Sequence, residues 1–358
     1  MHEHYGRGLS LSVLVTASIA LGACKGGSSD DDVAVAATAA ASQWLTAWGH
    51  PDLQGTWSSD DVRGIPLQRP ESFGTRAELT DEEFAERQQQ NDGEVERLAQ
   101  GGTAFLAERG VRSFRQASLV VDPPDGRIPA LTPEAELRTN AQNARRGARP
   151  ESWADRSLYD RCITRGVVGS LLPVIYGNGL EILQSPDSVS IRYEMIHETR
   201  VVPLDGRPHV GAGIRTYMGD ARGHWEGDTL IIETTNFLGR TGIGPNGNGP
   251  PTTGSTRLVE RLRRVADDRI DYTVTVEDPE TYTAPFTISF PITPQPDYQV
   301  LPYECHEGNA ALRNILSAAR AEERAIAEAR AKGLPEPASL WRDPGRGERG
   351  DVYSAPRE

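Results

Sequence analysis

His306 and Glu307 are the two neighbouring side chains best suited to acid–base chemistry in this sequence. They follow Cys305, between the last expected strand and the terminal helix, where neither is needed for a turn or a hydrophobic core. An imidazole changes its charge near neutral pH, so His306 could donate or accept a proton there, and either Glu307 or Arg161 could tune its pKa. We therefore name His306 and Glu307 as candidate catalytic residues. The alternative is that they, with Asn309, only cap the helix that follows.

His197 is the third candidate catalytic residue. Apolar and polar residues alternate over residues 189–201, which predicts one long, half-buried strand. Tyr193, Met195 and His197 share the apolar face of that strand. His197 is then either a core histidine hydrogen-bonded to a neighbour or a polar group inside a ligand cavity. Tyr193 and Met195 are candidate ligand contacts.

Charged residues of alternating sign occupy the other face of this expected strand. They are Arg192, Glu194, Glu198 and Arg200. We expect them to form a solvated ladder of ion pairs. A basic row lies on a neighbouring expected strand, made of Arg257, Arg261 and Arg263. The simplest role for that row is to pair with Glu194 and Glu198.

Three further residues complete the candidate ligand contacts: His209, Arg222 and Tyr272. Tyr272 lies on the apolar side of another alternating segment. His209, His306 and Glu307 are of the residue types that bind zinc, but their long spacings carry no metal signature. The sequence also lacks Gly-x-Ser-x-Gly, P-loop, His-Glu-x-x-His and dinucleotide-binding motifs. We therefore expect no metal and no cofactor.

The N-terminus has the pattern of a lipoprotein signal peptide over residues 1–23. Residues 9–21 are apolar apart from serine and threonine, and they are too few to span a bilayer as a helix, which takes about 20 residues. The run ends in Leu-Gly-Ala-Cys, which is similar to a bacterial lipobox and predicts lipidation of Cys24. The alternative is an ordinary signal peptide with a chance cysteine. Residues 24–43 then form a flexible tether.

Export also predicts how the other two cysteines pair. Cys162 and Cys305 remain once Cys24 is lipidated, and an even pair usually bonds in an oxidising compartment. Two buried free thiols are the alternative. We expect a Cys162–Cys305 disulfide in a protein of the bacterial cell envelope, lipid-anchored on the periplasmic side or at the outer membrane.

The overall charge excludes one class of partner. The 358 residues include 51 Asp and Glu against 38 Lys and Arg, a formal net charge of −13. The phosphate backbone would repel such a chain, so we expect no nucleic-acid binding. The expected partners are the membrane, through the N-terminal lipid anchor, and a small-molecule ligand.

Two helical segments and one strand-rich segment must position these residues. Residues 44–160 are expected to be a helical or irregular N-terminal part, with helices that begin at capping signals after Thr80 and Thr132. Residues 161–309 carry five or six expected strands joined by tight turns. Residues 310–333 read as a C-terminal helix whose first half should dock, and 334–358 as a disordered tail.

The strand pattern predicts a mainly β fold. We expect an antiparallel meander, closed as a lipocalin-like barrel or left as a curved sheet, with a helical N-terminal insertion and a C-terminal helix. Residues 239–256 are rich in Gly, Pro, Asn and Thr and are expected to form a long, mobile loop.

Six motifs together resemble a large family of uncharacterised bacterial secreted proteins and lipoproteins. They are Gly-x-Pro-Asp-Leu-x-Gly-x-Trp from Gly49, Asp-Pro-Pro-Asp-Gly-Arg-Ile-Pro from Asp122, Pro-Leu-Asp-Gly-Arg-Pro-His from Pro203, Gly-Asp-x-Arg-Gly-x-Trp-Glu-Gly-Asp from Gly219, Thr-Thr-Asn-Phe from Thr234 and Cys-His-Glu-Gly-Asn from Cys305. The resemblance spans roughly residues 49–320 and implies export but no particular activity. Gly55-x-Trp57 is also similar to the first-strand signature of lipocalins, which implies a barrel.

Three functions are compatible with these patterns. The first is a membrane-tethered lipoprotein that binds a small, partly apolar ligand or an envelope partner. The second is an exported enzyme of unrecognised type that uses histidine and glutamate acid–base chemistry on a hydrophobic or sugar-like substrate. The third is an envelope-assembly protein without a small ligand. A cavity lined by Tyr193, Met195 and Tyr272 would favour the first, and two histidines meeting a carboxylate in a cleft would favour the second.

Overall fold

A computed structural model describes residues 43–100, 110, 112–339 and 341, with the backbone alone for residues 94–99 and for His197. The expected signal peptide, the lipidated Cys24, the tether up to residue 42 and the tail beyond residue 341 therefore lie outside the described residues. None of the helices in the described ranges combines the length and the hydropathy needed to cross a bilayer.

Ten antiparallel strands form a sheet that is nearly closed into a barrel, which confirms the mainly β prediction. The strands are β1 (Gly55–Ser58), β2 (Val120–Asp122), β3 (Gly179–Gln184), β4 (Ser188–Tyr193), β5 (Thr199–Pro203), β6 (Asp220–Glu226), β7 (Thr229–Thr235), β8 (Arg257–Ala266), β9 (Arg269–Glu277) and β10 (Phe286–Pro294).

The order of the strands joins two meanders through β1. Strands β6 to β10 follow one another in space, and β3 to β5 do the same, while β1 lies between β10 and β3. Strand β2 pairs with β10 beside this path. Residues 44–160 thus contribute two strands to the sheet, in addition to helices. Tight turns make the neighbouring strands adjacent, as at Gly227, whose φ of +61° suits the two-residue turn between β6 and β7.

Helices flank the sheet at the positions that their capping signals predict. They are α1 (Asp81–Gln100), α2 (Pro133–Gly147), α3 (Val167–Leu171) and α4 (Ala310–Ala331). Thr80 and Glu83 exchange the two hydrogen bonds of a capping box, and Thr132 accepts a hydrogen bond from Ala135 N. The most buried residues of α4 are Ala319, in its first half, and Glu322, just beyond it, so the docked part of this helix extends past the first half that the sequence predicts.

The interior of the sheet is filled by residues that alternate along each strand. On β9, for example, Ile270, Tyr272, Val274 and Val276 are each at most 1% exposed, and the polar residues between them face outward. Trp57 and Phe290 add aromatic rings to the same core. The core therefore has the apolar content that a nearly closed sheet of this size needs to be stable.

The long strand expected over 189–201 is wrong, because the chain reverses at residues 194–197. Strands β4 and β5 pair in antiparallel fashion, with Ile191 opposite Arg200. The reversal places Ile196 in the left-handed region, with φ of +66°, without any Gly, Asn or Asp to signal a turn. Residues after the turn therefore face the opposite way from the expectation: Arg200 is buried and Val201 is 57% exposed.

The loop over 239–256 is packed, in contrast to the mobile loop that its composition predicts. Thr241, Ile243 and Thr252 are buried, and a short 3-10 turn at Pro245–Gly247 lies against α3. A Cβ on Gly169 would lie 2.4 Å from Gly247 N. The glycines therefore permit two backbones to meet closely.

Candidate functional site

The Cys162–Cys305 disulfide is present and fixes the start of α4 against the turn before α3. The two Cα atoms lie 5.6 Å apart. Asn309 reinforces the connection, because its Nδ2 donates to Asp160 O at 2.9 Å while its Oδ1 accepts from Leu312 N at 3.1 Å. Asn309 is thus the helix cap, as the alternative interpretation of this loop proposed.

A pocket of about 480 Å³ lies beside the disulfide, and His306 is part of its lining. We call it the disulfide pocket. Its lining is apolar and cationic, with these members: Trp153, Arg161, Ile163, His306, Asn309, Leu312, Arg313 and Leu316. The guanidinium of Arg161 lies 4.4 Å from the ring centre of Trp153. Two residues of the apolar stripe of α4, Leu312 and Leu316, form part of the wall of this pocket and are half-buried.

The lining of the disulfide pocket contains no carboxylate among the described residues. Glu307, the partner predicted for His306, is exposed and lies outside the lining. Neither Arg161 nor Arg313 forms an ion pair within the part of the chain that the structure describes. The pocket therefore offers positive charge beside an apolar surface, which suits an anionic group on an apolar body.

Tyr159 and Tyr303 lie close in sequence to the disulfide cysteines Cys162 and Cys305. Burial, aided by a hydrogen bond with Tyr176, raises the pKa of Tyr159, and burial likewise raises the pKa of Tyr303. The nearby cation of Arg165 acts in the opposite direction on both hydroxyls. The hydroxyls of Tyr159 and Tyr303 are therefore neutral hydrogen-bonding groups near neutral pH.

A second pocket, of about 400 Å³, opens where the barrel does not close. It lies between β5 and β6 and is lined by residues 198–201 and 216–221. We call it the seam pocket. At the other end of the seam the strands meet closely, because a Cβ on Gly223 would lie 2.8 Å from both Val202 Cγ1 and Leu204 Cδ2. The two strands thus separate toward the end where the pocket lies.

Glu198 lines the seam pocket, whereas the sequence pattern predicts that it forms ion pairs on the surface. Its Oε2 accepts a hydrogen bond of 2.6 Å from Thr164 Oγ1. Burial raises the pKa of Glu198, against the lowering effects of the Thr164 hydroxyl and the Arg200 charge. A carboxyl whose pKa is raised by burial in a cleft is a candidate functional group.

The remaining residues of the expected ladder also have other partners. Arg200 pairs with Glu260 inside the barrel, and Glu194 accepts hydrogen bonds from Gly179 N and Tyr298 Oη. The basic row does not reach Glu194 or Glu198 either: Arg257 pairs with Glu233 and Glu277, and Arg263 pairs with Asp228. The ladder prediction is wrong for the same reason as the long strand, since the turn at 194–197 reverses the alternation.

Tyr193, Met195 and Tyr272, the candidate ligand contacts of the apolar face, are each 1% exposed. Neither the disulfide pocket nor the seam pocket includes them in its lining. Tyr272 donates to Glu260 at 3.1 Å, and the hydroxyl of Tyr193 has no hydrogen-bond partner among the described residues. These side chains are therefore core residues in this structure. The side chain of His197 lies outside the described residues.

His209 and Arg222 meet at one cluster beside the seam pocket. His209 Nδ1 lies 2.8 Å from Asp220 Oδ2, and its Nε2 lies 3.1 Å from Glu233 Oε1. Arg222 donates to Asp220 Oδ1 at 2.8 Å. His209 lies in the loop that precedes β6, and its two ring nitrogens thus link that loop to strands β6 and β7. Within the described ranges, no group of three or more His, Cys, Asp and Glu side chains is arranged to hold a metal.

Sequence reasoning found His306 and its neighbour Arg161 but missed Glu198 and Arg313 as site residues. No local sequence signal marks Glu198 or Arg313, because each joins its pocket only through the tertiary fold.

Comparisons of this chain with protein-family models, curated proteins and solved structures find no match. The resemblance to secreted bacterial proteins and lipoproteins stays a prediction from the six motifs.

Proposed function

We propose that this chain is a lipid-anchored protein of the bacterial cell envelope, on the periplasmic side or at the outer membrane, that binds a small, partly apolar, anionic ligand in the disulfide pocket. The lipobox-like sequence at Cys24 supports the anchor. One observation carries the binding function: an apolar pocket has two arginines and a histidine in its lining and no carboxylate among the described residues.

The geometry explains how such a ligand would be held. Trp153, Ile163 and Leu316 offer an apolar surface, which removes the hydrocarbon part of a ligand from water. Arg161 and Arg313 offer planar donors, which recognise carboxylates and phosphates through paired hydrogen bonds. The disulfide holds these groups in place before a ligand arrives, and preorganisation reduces the entropy cost of binding.

The enzyme alternative has less support from this geometry. It requires His306 to act with a carboxylate, and Glu307 lies outside the pocket lining. General acid–base catalysis needs its groups within hydrogen-bond reach of one reacting atom. Binding is therefore the function that we propose.

The direct test is native mass spectrometry of the full-length protein purified in detergent, followed by calorimetry with octanoate and the uncharged octanol. We expect a co-purified anionic ligand and a tighter association with octanoate than with octanol. Changing Arg161 and Arg313 together to Gln should weaken octanoate binding by about tenfold or more, because charged hydrogen bonds are lost. Arg324→Gln, at an exposed position on the same helix, is the matched control. Equal affinities for octanoate and octanol would refute the proposal.

A further inference from the structure

The seam pocket is a separate cavity from the disulfide pocket. Its charged lining residues differ in whether they have an ion-pair partner. Arg200 lines it, but both terminal nitrogens of Arg200 donate to Glu260 at 2.6 Å. Asp220 also lines it, and its oxygens are bound by Arg222 and His209. Glu198 is the one lining carboxylate of the described pocket without a cation of its own.

Glu198 is half-buried, and Thr164 donates a neutral hydrogen bond to its Oε2. A partly desolvated carboxylate is stabilised by a cation or by further donors. A cationic ligand with N–H donors would supply both the charge and the hydrogen bonds that Glu198 lacks.

The other walls of the pocket suit a cation on a short apolar stem. The lining includes Tyr217, Met218 and Val201, and the Met218 thioether lies 3.5 Å from the same Thr164 hydroxyl that donates to Glu198. Aromatic rings attract ammonium groups, and the aliphatic walls favour a hydrocarbon chain. The volume of about 400 Å³ lies at the small end of the range for ligand pockets.

We propose that the seam pocket binds a small alkylammonium group, with Glu198 as the counter-ion and Tyr217 and Met218 as its walls. Arg200 does not repel the cation strongly, because the carboxylate of Glu260 neutralises it at close range. Asp220 adds negative potential at the edge of the pocket, although His209 and Arg222 balance it. The site is independent of the proposed anion site, so the chain would hold ligands of opposite charge in two places.

Isothermal calorimetry of the full-length protein in detergent micelles tests the proposal with n-butylammonium as the probe. n-Butanol and n-butyrate are the neutral and anionic analogues. We expect n-butylammonium to bind at least about tenfold more tightly than either analogue, because the ammonium forms a charged hydrogen bond with Glu198. Equal binding of butyrate, or no measurable binding of butylammonium by the wild-type protein, would overturn the site.

Variants assign the binding to this pocket. Glu198→Gln keeps the shape of the side chain and should lower the affinity for n-butylammonium by about tenfold or more. Glu86→Gln, at an exposed position of α1, should leave it unchanged. Tyr217→Leu should lower it by about threefold, because a cation–π contact is lost. If Glu198→Gln binds like the wild type, or if Arg161→Gln abolishes amine binding, the assignment to the seam pocket is wrong.

Discussion

Arg200 and Glu260 form a two-point ion pair inside the barrel. Each terminal nitrogen of the guanidinium donates to one carboxylate oxygen at 2.6 Å, and the two side chains are 5% and 0% exposed. Tyr272 adds a third hydrogen bond to the carboxylate at 3.1 Å. Burial lowers the pKa of Arg200, but the charge and hydrogen bonds of Glu260, together with the nearby hydroxyls of Tyr193 and Tyr272, outweigh that effect and leave this pKa raised. The guanidinium is therefore charged within the core.

Removing one partner of this pair should be strongly destabilising. Glu260→Gln leaves the Arg200 cation buried without its counter-ion, and we expect a loss of about 3–5 kcal/mol in the free energy of unfolding. Urea denaturation at equilibrium measures it. Replacing both partners by apolar residues, as Arg200→Met with Glu260→Leu, should recover much of the loss. A small effect of the single variant would mean that water reaches the pair.

Glu198→Gln should stabilise the protein at neutral pH and not in acid. Burial raises the pKa of Glu198 in the folded protein, so the folded state binds the proton more tightly than the unfolded chain does. The contribution of this carboxyl to stability is complete below its unfolded pKa and is lost as the pH rises through its folded pKa. The amide of glutamine has no such dependence. Melting temperatures of both proteins across this pH range should therefore separate on the alkaline side, whereas Glu86→Gln should follow the wild type throughout.

Loss of the disulfide should lower stability substantially. The bridge closes a sequence separation of 143 residues, which is worth up to about 5 kcal/mol in the chain-entropy account. Cys162→Ser combined with Cys305→Ser should show this loss in denaturant unfolding. Non-reducing peptide mapping should detect the linked peptides in the wild type. Two thiols that react with an alkylating agent in the native protein would contradict the pairing.

His306→Ala and Asn309→Ala should separate binding from stability. Asn309 caps α4 and contacts Asp160, so its loss should cost about 0.5–2 kcal/mol of stability. His306 is exposed and lines the disulfide pocket, so its loss should weaken octanoate binding with little change in melting temperature. Calorimetry and thermal unfolding of both variants check this. A large fall in melting temperature for His306→Ala with full affinity would make His306 a structural residue.

Cys24→Ala should release the protein from the membrane. If the lipobox-like sequence directs lipidation, the variant loses its acyl anchor and moves to the soluble fraction. Fractionation of cells followed by immunodetection measures this distribution. Ser28→Ala, a change just beyond the lipobox, is the control. An unchanged membrane fraction for Cys24→Ala would show that a different feature holds the protein.

The parts of the fold that could be predicted are those with local signals. The capping box at Thr80 and the N-cap at Thr132 mark α1 and α2, and the turn residues around Gly227 mark the hairpin of β6 and β7. The Cys162–Cys305 pair followed from cysteine number and the expectation of export. Each of these signals depends on neighbouring residues or on simple chemistry, so no tertiary knowledge was required.

The parts of the fold that could not be predicted depend on the chain reversal at residues 194–197, which contains no Gly, Asn or Asp to signal a turn. Ile196 adopts a left-handed conformation that β-branched residues rarely enter, and only the pairing of β4 with β5 maintains it. That turn decides that Arg200 faces inward. The seam pocket also unites Glu198 with residues 216–221, and only closure of the sheet brings them together. The alternation of apolar and polar residues predicts neither the turn at Ile196 nor the closure of the sheet.

Strands β5 and β6 are the two edges of the described sheet and do not pair with each other, so the barrel can open locally between them. Opening between these edges breaks no hydrogen bond between paired strands of the described sheet, and it separates Gly223 from the nearby side chains of Val202 and Leu204. Amide protons along these two edges should exchange with solvent through such openings, while those of β8 and β9 exchange only when the whole sheet unfolds. Water can then visit Arg200 and Glu260 from one side without loss of the fold.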